Sequence, residues 1–290
     1  MSYLDLYLSN SPKITLGHEG SKIFIMGAPY DLTTSYRPGS RFAPDQIRSA
    51  FWNIEIVDRK LGANAEEIEI FDLGNLSITT SVSRALDMIE KASGEVFSQG
   101  KILGTLGGEH LITYPLVRKV NDAALVVFDA HLDLRDELYG LTLSHATFLR
   151  RLTEERSDLK VYHFGSHTFV DEEISYARQR GIAVVTSYEL REKGIKSIGE
   201  LIKEENVYVS VDVDVLDPSC APGVANPEPE GLNYSELFDL IRSLCGKKIK
   251  GFDIVEVNPA YDPSGITSIA AAKILSLLII LAADGACQAH

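Results

Sequence analysis

The chain has 290 residues, of which 45% are hydrophobic and 24% charged, so it can bury a sizeable core in one large α/β domain or two small ones. Its formal net charge of -13 and its pI near 5.0 argue against nucleic acid and anionic membranes as partners. The same acidity is compatible with a small cationic substrate, or with solubility alone.

Short β-rich runs alternate with helical stretches along the chain. The runs that predict strands are KIFIMG (22–27), IEIFDLG (68–74), KILGTLGG (101–108), ALVVFDA (124–130), KVYHFGS (160–166), IAVVT (182–186), VYVSVDVDV (207–215) and IKGFDIVEV (249–257). The helices predicted between them are 43–52, 82–97, 145–154, 233–245 and 267–283. This alternation is typical of a parallel sheet covered by helices. Such units either close into a barrel or stay open as a three-layer sandwich, and the periodicity does not decide between the two.

Several sequence features bear on organisation and location. No linker-like stretch or internal repeat divides the sequence, which favours a single domain over residues 1–290. The most apolar stretch, residues 274–283, is too short to span a bilayer and predicts a buried helix. The three cysteines, Cys220, Cys245 and Cys287, show no CxxC spacing, and no signal peptide opens the chain. We therefore expect a reduced, cytoplasmic protein.

Acidic and histidine side chains follow four of the predicted strands. Parallel α/β sheets bind their ligands at the carboxyl ends of the strands, so these side chains are candidate site residues. Side chains two residues apart on a strand share a face, which predicts that neighbours within a group point the same way. The candidates are His110, then Asp129, His131 and Asp133, then Asp212 and Asp214, and finally Glu256.

The four aspartates need counter-charge if they share one poorly hydrated pocket, because crowded carboxylates cannot all stay ionised there. Two divalent cations would match four negative charges with four positive ones while both imidazoles stay neutral. A donor set of oxygen and nitrogen without sulfur favours Mn²⁺ over zinc and leaves Mg²⁺, Fe²⁺ and Co²⁺ open. Taken alone, His110 could be a loop histidine, and DVDVLDP (212–218) could be a strand entering a turn. DAHLD (129–133) is much harder to explain structurally.

Five segments together resemble the successive signatures of the ureohydrolase family of arginases and agmatinases. They are GGEH (107–110), VVFDAHLDLRDE (126–137), SHATFLRR (144–151), SVDVDVLDP (210–218) and GFDIVEVNPAYD (251–262). The segments TSYRPGSRFAPDQIR (34–48) and VEVNPAYD (255–262) are most similar to archaeal-type agmatinases. The resemblance implies an open three-layer α/β/α sandwich with an eight-stranded, mainly parallel sheet. It also implies a binuclear manganese centre with two Mn²⁺ per chain, and a homo-oligomer, trimeric or hexameric.

The resemblance also implies roles for individual residues. One metal would be held by His110, Asp129, Asp133 and Asp212, and the other by Asp129, His131, Asp212 and Asp214, so that Asp129 and Asp212 bridge. Two such metals would make a shared water nucleophilic at neutral pH. Glu256 would hold the guanidinium group of the substrate, and a purely structural carboxylate is the alternative. His145 would move protons, and capping or packing of a helix is the alternative for it.

The expected substrate is agmatine, which would be cleaved to putrescine and urea. Asp136 and Glu137, in the loop after Asp133, would repel the carboxylate of arginine, whereas Arg135 acts in the opposite sense. Aminopropylagmatine, 4-guanidinobutanoate and arginine stay open as alternatives. The sequence departs from the usual family pattern at four positions, which are Glu109, Ala146, Asn226 and Glu230.

Two alternatives belong to other functional classes. A deacetylase of similar fold would need only one zinc site of the Asp-His-Asp type, so the second set of ligands argues against it. A non-catalytic binding protein would be expected to have lost a ligand or Glu256, and the sequence retains them all.

Overall fold

The computed structural model describes residues 2–9, 13–194 and 199–283. The strands, in chain order, are β1 (Leu8–Ser9), β2 (Ile23–Ala28), β3 (Val57–Asp58), β4 (Ala63–Asn64), β5 (Ile70–Leu76), β6 (Ile102–Gly107), β7 (Ala124–Phe128), β8 (Val161–Phe164), β9 (Ala183–Val185), β10 (Asn206–Asp212) and β11 (Lys248–Val255). The α-helices are α1 (Tyr3–Tyr7), α2 (Ala43–Phe51), α3 (Val82–Ser98), α4 (Thr113–Val117), α5 (Phe148–Glu155), α6 (Asp171–Arg180), α7 (Ser187–Lys193), α8 (Tyr234–Arg242) and α9 (Ile266–Ala282).

Nine of these strands form one open sheet in the order β1-β5-β2-β6-β11-β10-β7-β8-β9. The eight strands from β5 to β9 in this order pair in parallel, and the short β1 adds to β5 in antiparallel fashion at the edge. The central strand β7 is buried along its whole length and β10 is buried from Val207 onward, as in sheets covered on both faces. The predicted mainly parallel α/β sheet is therefore confirmed, with one additional short strand.

Helices cover both faces of the sheet. On one face, α2, α8 and α9 pack together over an apolar cluster that includes Ile47, Leu240 and Leu278. On the other face, α3, α4 and α5 bury a second cluster around Ile89 and Leu152. These two clusters on opposite faces make an open three-layer sandwich instead of a closed barrel, as the family resemblance implies.

Two predicted helices differ from the observed ones by more than one residue at an end. The helix predicted over 145–154 begins only at Phe148, so His145 lies in the turn before α5. The helix predicted over 233–245 spans Tyr234–Arg242, because Asn233 caps its N terminus by accepting a hydrogen bond from the amide of Glu236. Helix α9 is apolar almost all round and buried in the core. Within the described ranges, no helix is long and apolar enough to cross a membrane.

The cysteines depart from the reduced state that the sequence predicts. Cys220 is a free thiol and partly exposed. Cys245 takes part in a disulfide bond, so the prediction is wrong at this position. Cys287 lies outside the described residues.

Candidate active site

Seven of the eight predicted site residues follow four strands that lie side by side in the sheet. These strands, β6, β11, β10 and β7, are consecutive neighbours, so their carboxyl ends meet in one region. His110 follows β6 in a short 3-10 turn, Glu256 follows β11, and the aspartates and His131 come at and after the ends of β10 and β7. The sheet order, which the sequence does not reveal, therefore brings the candidates together.

Turns at the ends of the strands, and not the alternation of side chains along a strand, direct the aspartates into the site. Strand β7 ends at Phe128, before the DAHLD segment begins. Within that segment Asp133 adopts a left-handed backbone with φ of 52°, which is rare for a residue other than glycine. Strand β10 ends at Asp212, whose Oδ1 accepts a 2.9 Å hydrogen bond from the amide of Asp214 and so caps a 3-10 turn. The expectation that Asp212 and Asp214 share a strand face is wrong, although both still reach the site.

His110 stands at the centre of one cluster of ligand atoms. Its Nδ1 lies 3.0 Å from Asp129 Oδ2, 3.1 Å from Asp133 Oδ2 and 3.3 Å from Asp212 Oδ2. These are contacts without hydrogen-bond geometry: His110 Nδ1 and Asp129 Oδ2 are buried and have no hydrogen-bond partner among the described residues. Lone pairs of several groups therefore converge on one point, as they do around a metal ion.

A second cluster adjoins the first and shares Asp129 with it. His131 Nδ1 lies 3.1 Å from Asp214 Oδ2 and 3.6 Å from Asp129 Oδ1. Donor atoms of His110, Asp129 and Asp212, and likewise of Asp129, His131 and Asp214, lie within 4.8 Å of one another, close enough to hold one ion each. Asp129 thus belongs to both groups, whereas Asp212 belongs only to the first.

A buried network behind His110 fixes which ring nitrogen can serve as a ligand. Ser210 Oγ donates a 2.6 Å hydrogen bond to Asp253 Oδ1 and lies 2.9 Å from His110 Nε2. Because the hydroxyl proton of Ser210 is used on Asp253, its oxygen accepts from an Nε2–H of the ring. This assigns the proton to Nε2 and leaves a lone pair on Nδ1, the tautomer that metal binding requires.

The crowding of carboxylates is the physical reason that the site suits cations. Burial and the nearby charge of Asp129 raise the pKa of Asp133 to about 7. Burial and the charge of Asp214 raise the pKa of Asp212 well above its usual range. Against the effect of burial, the neighbouring carboxylates raise the pKa of His110 and of His131 well above the usual range. Four carboxylates and two imidazoles therefore fit two divalent cations, which would balance the negative charges and displace protons from both rings.

Glu256 lies beside this cluster in an unusual backbone conformation. Its φ of 64° is left-handed, which is strained for glutamate, and its amide donates to Gly108 O at 2.9 Å. Glu256 Oε1 accepts a 2.7 Å hydrogen bond from the amide of His110. Its Oε2 is buried and has no partner in the part of the chain that the structure describes. Burial and then the charge of Glu109 raise the pKa of Glu256 well above its usual range. The unpaired carboxylate oxygen is therefore suited to a cationic ligand.

His145 reaches the same region from the turn before α5. Its Nδ1 lies 3.3 Å from Thr33 Oγ1 and its Nε2 lies 3.2 Å from Ser35 Oγ. Its main-chain amide also donates to Thr33 Oγ1 at 3.0 Å. Burial lowers the pKa of His145 to about 4, so the ring is neutral at neutral pH. His145 is therefore held by side-chain contacts, not by membership of a helix.

These groups open onto one cleft of about 380 Å³, within the roughly 300–1,000 Å³ of small-molecule sites. Its lining includes His110, His131, Asp133, His145, Asp212, Asp214 and Glu256. A larger cavity of about 930 Å³ lies at the opposite, amino-terminal ends of the strands, and six of its 18 lining residues are lysines. It contains none of the predicted site residues, so we place the chemistry in the smaller cleft.

Comparison with known proteins agrees with this architecture. The family model described as the arginase family matches residues 21–280. The chain belongs to the arginase family. It is 36% identical to an agmatinase from Halalkalibacterium halodurans over 91% of this chain and 93% of that protein. It is 38% identical to an agmatinase from Pyrococcus horikoshii over 93% of this chain and 95% of that protein. The solved structure of an agmatine ureohydrolase from Thermoplasma volcanium has 37% identity and a TM-score of 0.85, with 92% of this chain and 91% of that chain covered.

In this arginase-family chain, the two acidic residues of the loop after Asp133 do not lie beside the substrate cleft, where the sequence analysis expects them. Asp136 turns toward helix α5 and pairs with Arg150 at 3.4 Å and with Arg151. Asp136 and Glu137 are both exposed and absent from the lining of the cleft, whereas Arg135 lines it. The proposed repulsion of a substrate carboxylate by Asp136 and Glu137 is therefore not supported by their positions.

The four positions that depart from the family pattern lie in different environments. Glu109 is buried, and its Oε2 accepts a 2.7 Å hydrogen bond from the amide of Thr33. Ala146 and Asn226 line the cleft. Glu230 instead lies on the surface, where its carboxylate accepts a 2.6 Å hydrogen bond from the hydroxyl of Tyr188.

Several residues of the site were missed by sequence reasoning. Ser210 and Asp253 lie within predicted strands, and the burial of polar residues in such runs was the signal that could have found them. Thr33 and Ser35 lie in a loop more than 100 residues from His145, so nothing local connects them. Glu228 lines the cleft with its Oε1 3.9 Å from His131 Nε2, and it lies in a loop already noted for its divergence.

Proposed function

We propose that this chain hydrolyses the guanidino group of agmatine to give putrescine and urea. The observation that carries the proposal is Glu256 Oε2, which is buried without a partner among the described residues, beside two adjoining groups of ligand atoms. A guanidinium bound there would supply the missing hydrogen bonds in a charge-assisted form. Relatives named agmatinase, similar over more than 90% of the chain, support agmatine among the guanidino compounds.

We infer that the metal ions are two Mn²⁺ per chain. His110, Asp129, Asp133 and Asp212 would hold one ion, and Asp129, His131, Asp212 and Asp214 would hold the other. The oxygen-rich donor set without sulfur supports manganese over zinc. When bound, such ions lower the pKa of water and so provide a strong nucleophile for the weakly electrophilic guanidinium carbon.

The protein side chains would divide the remaining work. Hydrolysis adds water across the bond between the guanidinium carbon and the departing nitrogen, so that nitrogen must gain a proton as it leaves as an amine. Glu256 would hold the guanidinium by its charge and fix the orientation of the carbon. His145, buried and neutral, is the nearby group that can accept and release protons. Glu228, a partly exposed residue in the lining of the cleft, would favour the cationic tail of agmatine over a carboxylate.

The test is a comparison of urea release from agmatine, aminopropylagmatine, 4-guanidinobutanoate and arginine by Mn²⁺-loaded protein. We expect kcat/KM for agmatine to exceed that for arginine by orders of magnitude, at about 1.4 kcal/mol per tenfold. Equal or faster turnover of arginine would contradict the proposed substrate. One zinc per chain without a manganese requirement would favour the deacetylase alternative, and absence of any urea release would favour a non-catalytic binding protein.

The assembly, organisation and location of the protein are also proposals. We infer a single domain over residues 1–290 and a trimeric or hexameric homo-oligomer in the cytoplasm, supported by the family resemblance. Light scattering on the purified protein and fractionation of cells would test assembly and location.

A further inference from the structure

The two ring nitrogens of His145 contact hydroxyl groups on one loop, which follows β2. Thr33 Oγ1 lies 3.3 Å from Nδ1, and Ser35 Oγ lies 3.2 Å from Nε2. The ring is only 6% exposed, and Ser35 lines the cleft. Because a neutral imidazole carries one proton, one of these nitrogens donates and the other accepts.

The contacts of Thr33 favour one position for the ring proton. Thr33 Oγ1 already accepts a hydrogen bond from the main-chain amide of His145 at 3.0 Å. If Nδ1 also donated to it, the hydroxyl would receive two protons, and its own proton would be left with the carboxylate of Glu109, whose Oε2 already accepts from the amide of Thr33 and the hydroxyl of Thr34. If Nδ1 instead accepts from the hydroxyl, all three groups are satisfied, and the ring proton lies on Nε2.

We propose that Thr33 is a positioning residue that holds neutral His145 in the Nε2–H tautomer, so that its protonated nitrogen faces Ser35 and the cleft. The two hydroxyls thus have unequal roles. Thr33 sets the tautomer and the plane of the ring from the buried side. Ser35 is the polar group between Nε2 and the cleft. Its hydroxyl can donate or accept, so it adapts to the tautomer that Thr33 sets.

The position of Thr33 depends on the corner that follows β6. Glu109 Oε2 accepts a 2.7 Å hydrogen bond from the amide of Thr33, and Glu109 itself donates from its amide to Tyr30 O at 2.7 Å. A Cβ at Gly108 would come within 1.8 Å of the carbonyl oxygen of Tyr30, so only glycine permits this approach. The GGEH corner therefore holds the loop as well as presenting His110. The longer side chain of Glu109, at a position where the family usually has Asp, reaches the loop backbone.

This inference rests on the proposed role of His145 for its effect on turnover, but the tautomer can be measured without any substrate. The experiment uses the full chain labelled with ¹⁵N-histidine and loaded with the diamagnetic ion Zn²⁺. The unprotonated nitrogen of a neutral imidazole resonates far downfield of the protonated one, and loss of signals in His145→Gln identifies the ring. We expect wild-type His145 to show a protonated Nε2 and an unprotonated Nδ1.

Variants separate the roles of the hydroxyls. Thr33→Val is nearly isosteric and should give a mixture of tautomers, whereas Thr33→Ser should restore the wild-type pattern. Ser35→Ala should keep the Nε2–H tautomer. Thr34→Val is the matched control, because Thr34 Oγ1 contacts Glu109 Oε2 at 3.4 Å and not His145. A protonated Nδ1 in the wild type, or a tautomer change in Ser35→Ala but not in Thr33→Val, would overturn the proposal.

Kinetics with agmatine supply the second measurement. Thr33→Val should lower kcat about tenfold, in line with the loss of a buried hydrogen bond, with KM and metal content little changed. Thr33→Ser should recover most of that loss. If KM rises while kcat is unchanged, the loop only shapes the cleft and the positioning role is wrong. If wild-type protein releases no urea, the proposed function fails, while the tautomer measurement still decides the inference.

Discussion

Glu256 and His110 are joined by a 2.7 Å hydrogen bond from the amide of His110 to the carboxylate of Glu256. This bond ties the proposed guanidinium-binding residue to the backbone of a proposed metal ligand. It also occupies only one carboxylate oxygen, and the other is buried without a hydrogen-bond partner among the described residues. The left-handed backbone of Glu256 is the strain that this arrangement requires.

Replacement of Glu256 by glutamine should separate charge from position. The glutamine carbonyl can still accept from the amide of His110, but the negative charge that pairs with a desolvated guanidinium is lost. We expect kcat/KM for agmatine to fall by at least about a hundredfold, while both metals stay bound. Glu228→Gln, another carboxylate of the cleft, is the control and should lose far less. Equal losses in the two variants would indicate that overall cleft charge, not Glu256, binds the substrate.

Among the described residues, Asp129 is the one that belongs to both groups of ligand atoms. Asp129→Asn should therefore lose both metals, because an amide supplies no charge and bridges poorly. Asp133→Asn is the matched control, since Asp133 contacts only the group around His110, and it should weaken one metal site. Elemental analysis after dialysis measures the metal content per chain. Retention of two ions by Asp129→Asn would show that Asp129 does not bridge.

His145 should affect turnover without affecting metal binding. His145→Ala should lower kcat by about 10²–10⁴-fold, the usual loss of a general acid or base, and keep the full metal content. His18→Ala, at an exposed histidine, serves as the control for histidine replacement. Loss of a metal in His145→Ala would make the residue a ligand. An unchanged kcat would leave it with a structural role only.

Asp253 should influence metal affinity although it is not a proposed ligand. It holds Ser210, which in turn fixes the tautomer of His110. Asp253→Asn should weaken Mn²⁺ binding about 10–100-fold, as is typical when the partner of a metal-bound histidine is lost. Tyr208→Phe removes a donor from the other oxygen of Asp253 and leaves the Ser210 contact in place, so its effect should be small. Calorimetric titration of metal-free protein with Mn²⁺ gives both affinities, and unaltered binding in Asp253→Asn would refute the role.

The alternation of β and α runs predicted the sheet because parallel strands buried on both faces are continuously apolar, as β7 is. The same pattern did not reveal the strand order. That order depends on which consecutive strands of the chain are not neighbours in the sheet. Here β11 and β10 lie between β6 and β7. Short elements such as β1 escaped prediction because two residues carry too little periodicity.

Residues of the candidate site could be predicted where charged residues interrupt an apolar run. They could not be predicted where contacts between distant parts of the chain determine the position of a side chain. Asp129, His131 and Asp133 stood out, although strand alternation was the wrong reason for their common direction. The partners of His145 could not be found, because Thr33 lies 112 residues away and an isolated threonine gives no signal. The orientation of Asp136 was also beyond the sequence, since it depends on the arginines of α5.

His163 should make the stability of the protein sensitive to acid. It lies on β8, fully buried, with neither ring nitrogen hydrogen-bonded to any residue that the structure describes. Burial lowers its pKa to about 4, from a value near 6.5 that it regains on unfolding. Between these values the unfolded chain binds more protons than the folded chain, so the free energy of unfolding falls as the pH falls from about 6.5 toward 4.

Replacement of His163 by leucine should remove this part of the pH dependence. Between pH 7 and pH 5 we expect the wild type to lose about 2 kcal/mol more stability than His163→Leu. Urea unfolding of both proteins at the two pH values measures the difference, and the comparison cancels contributions that the two proteins share, such as proton release by the metal ligands. Parallel losses in the two proteins would mean that His163 keeps an ordinary pKa, and that a water or another group satisfies its ring in the folded state.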